Sequence, residues 1–159
     1  MRVLGVDPGT AVTGYGVIEG GNGGGRGIGR LLECGVIRFP RDGSLPQRLA
    51  ALHSHIAALI TRHRPQALAL ENAFYQKNVR TTLVLGHARG VVLLAAAQAG
   101  LAIAEYPPAT VKKTVAGAGG APKAQVGAVV ARLLQLAHAP TPADAADGVA
   151  VALTHLLRT

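Results

Sequence analysis

Only eight carboxylates occur in this 159-residue chain: Asp7, Glu19, Glu33, Asp42, Glu71, Glu105, Asp144 and Asp147. Three of them close runs that are otherwise apolar: Asp7 after Val3 to Val6, Glu71 after Ala67 to Leu70, and Glu105 after Leu101 to Ala104. A carboxylate removed from water costs several kcal/mol unless it is paired or neutralised, so each of these needs a partner. Asp144 and Asp147 lie three apart in a helical pattern, which puts them on one face with Cβ atoms about 5 to 6 Å apart. Acids so close raise one another's pKa unless a cation reverses the balance. Carboxylates alone, with no Cys or His nearby in sequence, suit a hard ion such as Mg²⁺ or Mn²⁺. Plainer readings stand beside this one. Asp144 falls in the first turn of its helix, where an acid favours the macrodipole by about 0.3 to 1 kcal/mol with no function at all. Glu105 would be satisfied by an arginine.

The elements that must position these acids follow from the pattern. Arg2 to Asp7 is a short apolar run halted by Pro8-Gly9, and reads as a buried strand. Gly14 to Glu19 and Leu31 to Phe39 read as two more strands, separated by the glycine-dense Gly20 to Gly29, which implies an antiparallel meander. From Ser44, an N-cap candidate with Pro46 just after it, Leu49, Leu52, Ile56, Leu59 and Ile60 recur at helical spacing until Pro65. Ala67 to Glu71 repeats the pattern of the first strand, a helix follows from about Val79 to Ala99, and Leu101 to Glu105 is the fifth strand. Helices are expected at Ala109 to Val115, about Pro122 to Leu136, and about Pro142 to Leu157. This order suits an α/β fold, a mixed five-stranded sheet with an antiparallel meander and parallel strands, flanked by helices on both faces. If the strands of Asp7 and Glu71 are parallel neighbours, both acids emerge at the carboxyl edge, where ligand sites of open α/β sheets lie. The four carboxylates Asp7, Glu71, Asp144 and Asp147 can then converge.

Composition narrows the function classes. The length fits one domain, residues 1–159, able to form a core without disulfides or structural metal. Cys34 is the only cysteine, which excludes an internal disulfide and a Cys-based zinc site. No charged leader with a cleavage site precedes the first strand, and a cytoplasmic setting is the expectation. The longest stretch free of Asp, Glu, Lys and Arg, Gly90 to Ala104, has 15 residues, short of the ~18 to 20 a membrane span needs. Sixteen Lys+Arg give a net charge of +8, which favours a polyanionic partner, since cations that neutralise phosphates release counterions.

Six blocks carry a resemblance: Val6-Asp7-Pro8-Gly9-Thr10, Val12 to Gly16, Glu71-Asn72-Ala73-Phe74 with Lys77-Asn78, Leu85 to Gly90, Val111 to Val115, and Ala143 to Asp147. In order and spacing they resemble the RuvC family of bacterial Holliday junction resolvases over almost the whole chain. The resemblance implies an RNase H-like fold and a homodimer that nicks opposing strands of four-way junction DNA symmetrically, in recombination and repair, with the RuvAB branch-migration complex as partner. It implies Asp7, Glu71, Asp144 and Asp147 as catalytic residues and metal ligands for two ions, Mg²⁺ or Mn²⁺, with Asp7 bridging. It implies that Phe74 stacks on unpaired bases and that Lys112 and Lys123 lie near the DNA backbone. Lys77, Arg80 and Lys113 would add phosphate contacts.

Two alternatives remain open at this level. Asp7-Pro8-Gly9-Thr10 can be read as the phosphate-binding turn of an actin-like phosphotransferase, although such enzymes need a far longer chain. A basic junction-binding protein without catalysis would not need four converging acids. Gly86 and Gly90, inside a helix where each costs about 1 kcal/mol, fit close helix approach across a dimer or packing on the subunit's own sheet. His87 and His155 read as core or surface residues rather than ligands; His53, His55, His63 and His138 are less informative.

Overall fold

The computed structural model describes residues 1–21, 27–39, 42–72, 78–117 and 119–159. Phe74 and Lys77 lie outside the described residues, as do residues 22–26 of the glycine-dense link. Five strands form one sheet in the order β3-β2-β1-β4-β5. They are β1 (Arg2–Asp7), β2 (Val12–Gly20), β3 (Gly29–Arg38), β4 (Ala67–Glu71) and β5 (Ala102–Tyr106). The first three form the expected antiparallel meander, and β4 and β5 run parallel to β1.

Five helices cover the sheet: α1 (Leu45–His63), α2 (Val79–Gln98), α3 (Pro108–Ala116), α4 (Lys123–Leu133) and α5 (Ala143–Arg158). The start of α1 is a capping box. The Ser44 side chain accepts from the Gln47 amide at 3.4 Å, and the Gln47 side chain accepts from the Ser44 amide at 3.0 Å. Asn78 caps α2 by accepting from the Thr81 amide at 2.9 Å. Against expectation α4 stops at Leu133 rather than Leu136, because Gln135 adopts a left-handed backbone with φ 56°.

Alternation along the strands assigns the two faces. Leu4, Val6, Val17, Leu68 and Leu70 pack against α1 and α2 with Leu52, Ile56 and Val92. Val3, Ile18 and Ala69 point the other way, into a cluster with Val111, Val126, Val130 and Val149. Such wholly buried aliphatic side chains contribute about 1.5 to 3 kcal/mol each, and they fix the register because a one-residue slip would exchange the two faces. Among the described residues, α2 is long and apolar enough by length and composition to cross a membrane; here one side of it is in the core, through Leu85, Ala88, Val92, Ala95 and Ala96.

Candidate active site

Register brings the first two acids together. Val6 pairs with Leu70 in the parallel β1–β4 ladder, so Asp7 and Glu71, the next residues, stand side by side at the carboxyl edge. Both point to the face covered by α5. Helix α5 then crosses β1 and β2 at very short range, because the facing positions are glycines. A Cβ on Gly5 or Gly14 would collide with the backbone of α5, and one on Gly148 would lie 2.5 Å from the Tyr15 backbone. This close approach sets Asp144, in the first turn of α5, and Asp147 within electrostatic reach of Asp7. Sequence reasoning overlooked these glycines; the alternation of Gly5 with its apolar neighbours, and of Gly14 with Gly16, was the available signal.

Asp7, Glu71 and Asp147 line a cleft of about 140 Å³ with Pro108, Val111 and Lys112 of α3, Lys123 and Val126 of α4, and Ala150. Asp144 is not among the lining residues, but its charge is felt at Asp7. Burial, then the charges of Glu71 and Asp147, push the Asp7 carboxyl well above its ordinary range, with Lys123 opposing. Burial and Asp147 push Glu71 up to about 7, against the pull of Lys123 and Lys112. Asp147 has a partner: Lys123 Nζ donates to Asp147 Oδ2 at 3.0 Å, and that hydrogen bond raises the lysine's own pKa.

The donor set fits divalent metal. Every candidate ligand is a carboxylate oxygen, and two of the acids, Asp7 and Glu71, are held in a state that only a proton or a cation relieves. Among the described residues no three such side chains are gathered tightly enough to share one ion, and one Asp147 oxygen is held by Lys123. The arrangement has a measurable consequence. Glu71 ionises near pH 4.5 in the unfolded chain and near 7 in the fold, so its contribution to stability is present at low pH and is lost as pH rises from about 4.5 through 7. Metal-free protein is therefore expected to melt at falling temperature over that window. Glu71→Gln should remove part of the fall and leave the share that Asp7, itself raised chiefly by burial, contributes, and Mg²⁺ should reverse the fall in wild type; a wild-type profile identical to that of Glu71→Gln in EDTA would contradict the electrostatics.

Residues 3–155 match the sequence pattern of the crossover junction endodeoxyribonuclease RuvC family. The chain belongs to it. A RuvC from Halorhodospira halophila is 48% identical over 154 residues, covering 97% of this chain and 89% of the relative. One from Pelotomaculum thermopropionicum is 48% identical over 156 residues, covering 98% and 92%. The solved Thermus thermophilus RuvC superposes with a TM-score of 0.89 at 35% identity over 99% of this chain and 94% of that one, and the same protein in complex with Holliday junction substrate gives 0.87 at 32%, with the same coverage of both chains. The sheet and its helices are the RNase H-like fold of RuvC. The yeast mitochondrial resolvase Ydc2, at 13% identity and TM-score 0.67, shares the fold alone.

Within this RuvC-family chain the other expected site residues separate. Lys112 and Lys123 reach the cleft. Lys113 is exposed one position further on α3, and Arg80 is exposed in the first turn of α2. Glu105 faces α2, where Arg89 forms an ion pair with it, so it is not part of the acid cluster. His155 is buried and shares a 2.8 Å hydrogen bond with the Tyr106 hydroxyl, while His87 is exposed. A Cβ on Gly86 or Gly90 would meet nothing within 4 Å, so packing on the subunit's own sheet does not explain those glycines.

Proposed function

We propose that this chain resolves Holliday junctions as a structure-selective endonuclease, hydrolysing phosphodiester bonds symmetrically in opposing strands at Asp7, Glu71, Asp144 and Asp147. Membership in the RuvC family makes it a nuclease that hydrolyses DNA and depends on divalent metal. The observation that carries the site is the cleft where Asp7, Glu71 and Asp147 meet between Lys112 and Lys123. Acids alone would repel a phosphate. Two Mg²⁺ or Mn²⁺ ions would activate water and offset charge on the leaving oxygen when bound. The chain's own residues do the rest. Asp7, at the rigid end of β1, would hold metal together with Glu71, Asp144 and Asp147. Lys112 and Lys123 hold the phosphate in place by charge, while Pro108, Val111 and Val126 narrow the cleft.

Around the cleft, Lys77, Arg80 and Lys113 would contact phosphates, and Phe74 would stack on bases unpaired at the crossover. Residues 1–159 act as one nuclease unit, in the cytoplasm, delivered to junctions by RuvAB. A purely binding role would have no use for Asp7, Glu71 and Asp147 in one cleft. Labelled four-way junction and linear duplex of the same sequence, with Mg²⁺, Mn²⁺ or EDTA, test the reading. Paired symmetric nicks in the junction alone, lost in EDTA, are expected; binding without nicking in either metal would refute it.

Symmetric nicking needs two sites, and α2 supplies a face for a two-fold dimer. Val79, Leu83, Gly86, Gly90 and Leu94 follow one another at helical spacing on its exposed side, with Val79, Leu83 and Leu94 each more than half exposed. The glycines allow a second helix to come close, and an isologous pairing of this face with itself would cover the stripe. Leu83→Glu is expected to convert the dimer to monomer in sedimentation experiments and to leave unpaired nicks; an unchanged dimer would move the interface elsewhere.

A further inference from the structure

We propose that Arg38 and Arg48 form a second phosphate-gripping station, which holds the DNA backbone on the opposite side of the Asp7 turn from Lys112 and Lys123. The inference rests on the nuclease reading and adds to it a part of the substrate path.

Four other arginines are already neutralised. Arg2 and Arg30 pair with Glu19, Arg62 with Glu33 and Arg89 with Glu105. Arg38 and Arg48 are not: among the described residues neither has an acidic partner, and exposed Asp42, close in sequence, pairs with neither.

Arg38 closes β3 at the sheet edge where β1 ends in Asp7. Its register partner is Val12, and Asp7 pairs with Gly14; Val12 and Gly14 point to the same face, so Arg38 shares the face of the acids. One strand, β2, lies between it and Asp7, and Arg38 sits two residues beyond Val36, the residue level with Asp7, so the two stand about 12 Å apart. Its side chain is exposed and makes no hydrogen bond among the described residues.

Arg48 is held in a fixed orientation by contacts that leave its charge intact. Its guanidinium carbon sits 5.0 Å from the centroid of the Phe39 ring, and its Nη2 donates to the Thr10 carbonyl at 3.2 Å. Phe39, adjacent to Arg38, donates its own amide to the Ala11 carbonyl at 3.4 Å. The capping box at Ser44 fixes the start of α1, which carries Arg48. A guanidinium stacked on a ring and steered by one carbonyl keeps most of its N–H donors unused, and its planar fork matches a phosphate. The entropy of ordering that side chain is already spent in the free protein, without a carboxylate to compete for it.

A polyanion approaching the cleft meets the carboxylates of Asp7, Glu71 and Asp147. Cations on the α3–α4 side alone would hold it from one flank; at the other flank Arg38 stands on the face of the acids and Arg48, over Phe39, on the α1 face, so a backbone that passes the cleft and turns over the sheet edge meets Arg38 first and Arg48 at the corner.

The test is metal-free binding of a fluorescent four-way junction at rising salt, with wild type, Arg38→Ala, Arg48→Ala, Arg48→Lys and the double alanine variant. The double variant is expected to bind about tenfold more weakly or worse, and its slope of log affinity against log salt should fall by nearly two, at about 0.9 per phosphate lost. Arg48→Lys keeps the charge but not the fork, and should fall between. Arg38 is exposed and partnerless, so Arg38→Ala folds whatever Arg48 does for the turn. Wild-type affinity and slope in Arg38→Ala and in the double variant would overturn the station. So would slower cleavage by Arg48→Ala at unchanged slope, which would make Arg48 a brace of the Asp7 turn. Wild type that fails to bind the junction would remove the nuclease reading itself.

Discussion

Asp7→Asn is expected to leave junction binding near wild type and to lower the cleavage rate by about 10³-fold or more. Asparagine preserves the shape at the end of β1 and removes one full negative charge from the point where the acids meet. A lost metal ligand forfeits several kcal/mol of transition-state charge stabilisation, and each 1.36 kcal/mol is tenfold in rate. Binding should survive because the cations around the cleft are untouched. A second effect has the opposite sign. Burial and the charges of Glu71 and Asp147 hold the Asp7 pKa above that of the unfolded chain, so in metal-free protein its ionisation opposes folding once pH exceeds the unfolded value, and the penalty grows as pH rises towards the folded one. Asp7→Asn removes that penalty. In EDTA near pH 8 the variant should therefore melt higher than wild type, and Mg²⁺ should stabilise it less. Junction nicking retained near the wild-type rate would contradict the assignment of Asp7. A variant that melts lower than wild type in EDTA would show that the carboxylate is not strained as its surroundings imply.

Much of this site was readable before any coordinates, because acids are scarce in the chain and strands end sharply. β4 runs over Ala67–Glu71, the span its apolar run predicts, and β1 likewise ends at Asp7. Parallel pairing of those two strands was a condition in the sequence reading, since β2, β3 and α1 lie between them, and the ladder that meets it places Asp7 beside Glu71. The expectation that an arginine satisfies Glu105 holds, but the sequence did not say which arginine or why the two strand-closing acids part. Glu105 closes an apolar strand as Glu71 does, yet it faces α2 and meets Arg89, a difference set by the half-turn between successive strand residues. Nor could spacing show that α4 ends early at a left-handed Gln135. Helix α2 was legible as a helix but not as a surface, since its apolar residues go all round and only packing says which side is covered. Arg48 was passed over for a similar reason: its neighbours Phe39 and Thr10 are remote in sequence and meet it only at the corner of the sheet.

The glycines under α5 account for the remaining illegibility, and Gly148→Ala is expected to have the largest effect on stability. Alanine is the better helix former by about 0.8 to 1 kcal/mol, so propensity alone predicts a more stable α5. Packing predicts the reverse. The added Cβ would lie 2.5 Å from both the N and the Cα of Tyr15, backbone atoms of a central strand that cannot rotate away as a side chain would. Helix and sheet must separate, opening the cluster that Val149, Val151 and Leu153 fill. Overpacking commonly costs 1 to 3 kcal/mol, and a backbone collision belongs at or beyond the top of that range. We expect a loss of about 3 kcal/mol or more, a large part of a small domain's stability. Gly127→Ala in α4 is the matched control: it gains the same propensity, and its nearest neighbour outside its own helix, the Ala139 Cβ, is 3.4 Å away. Denaturant titrations should place the two variants on opposite sides of wild type. The site responds with the fold, since α5 moved outwards carries Asp144 and Asp147 away from Asp7. Any Gly148→Ala protein that remains folded should thus respond less to Mg²⁺, with Glu71 freed from the Asp147 charge and titrating below 7. Wild-type stability in Gly148→Ala would mean that α5 does not need this closeness, and that something other than the glycines draws the four acids together.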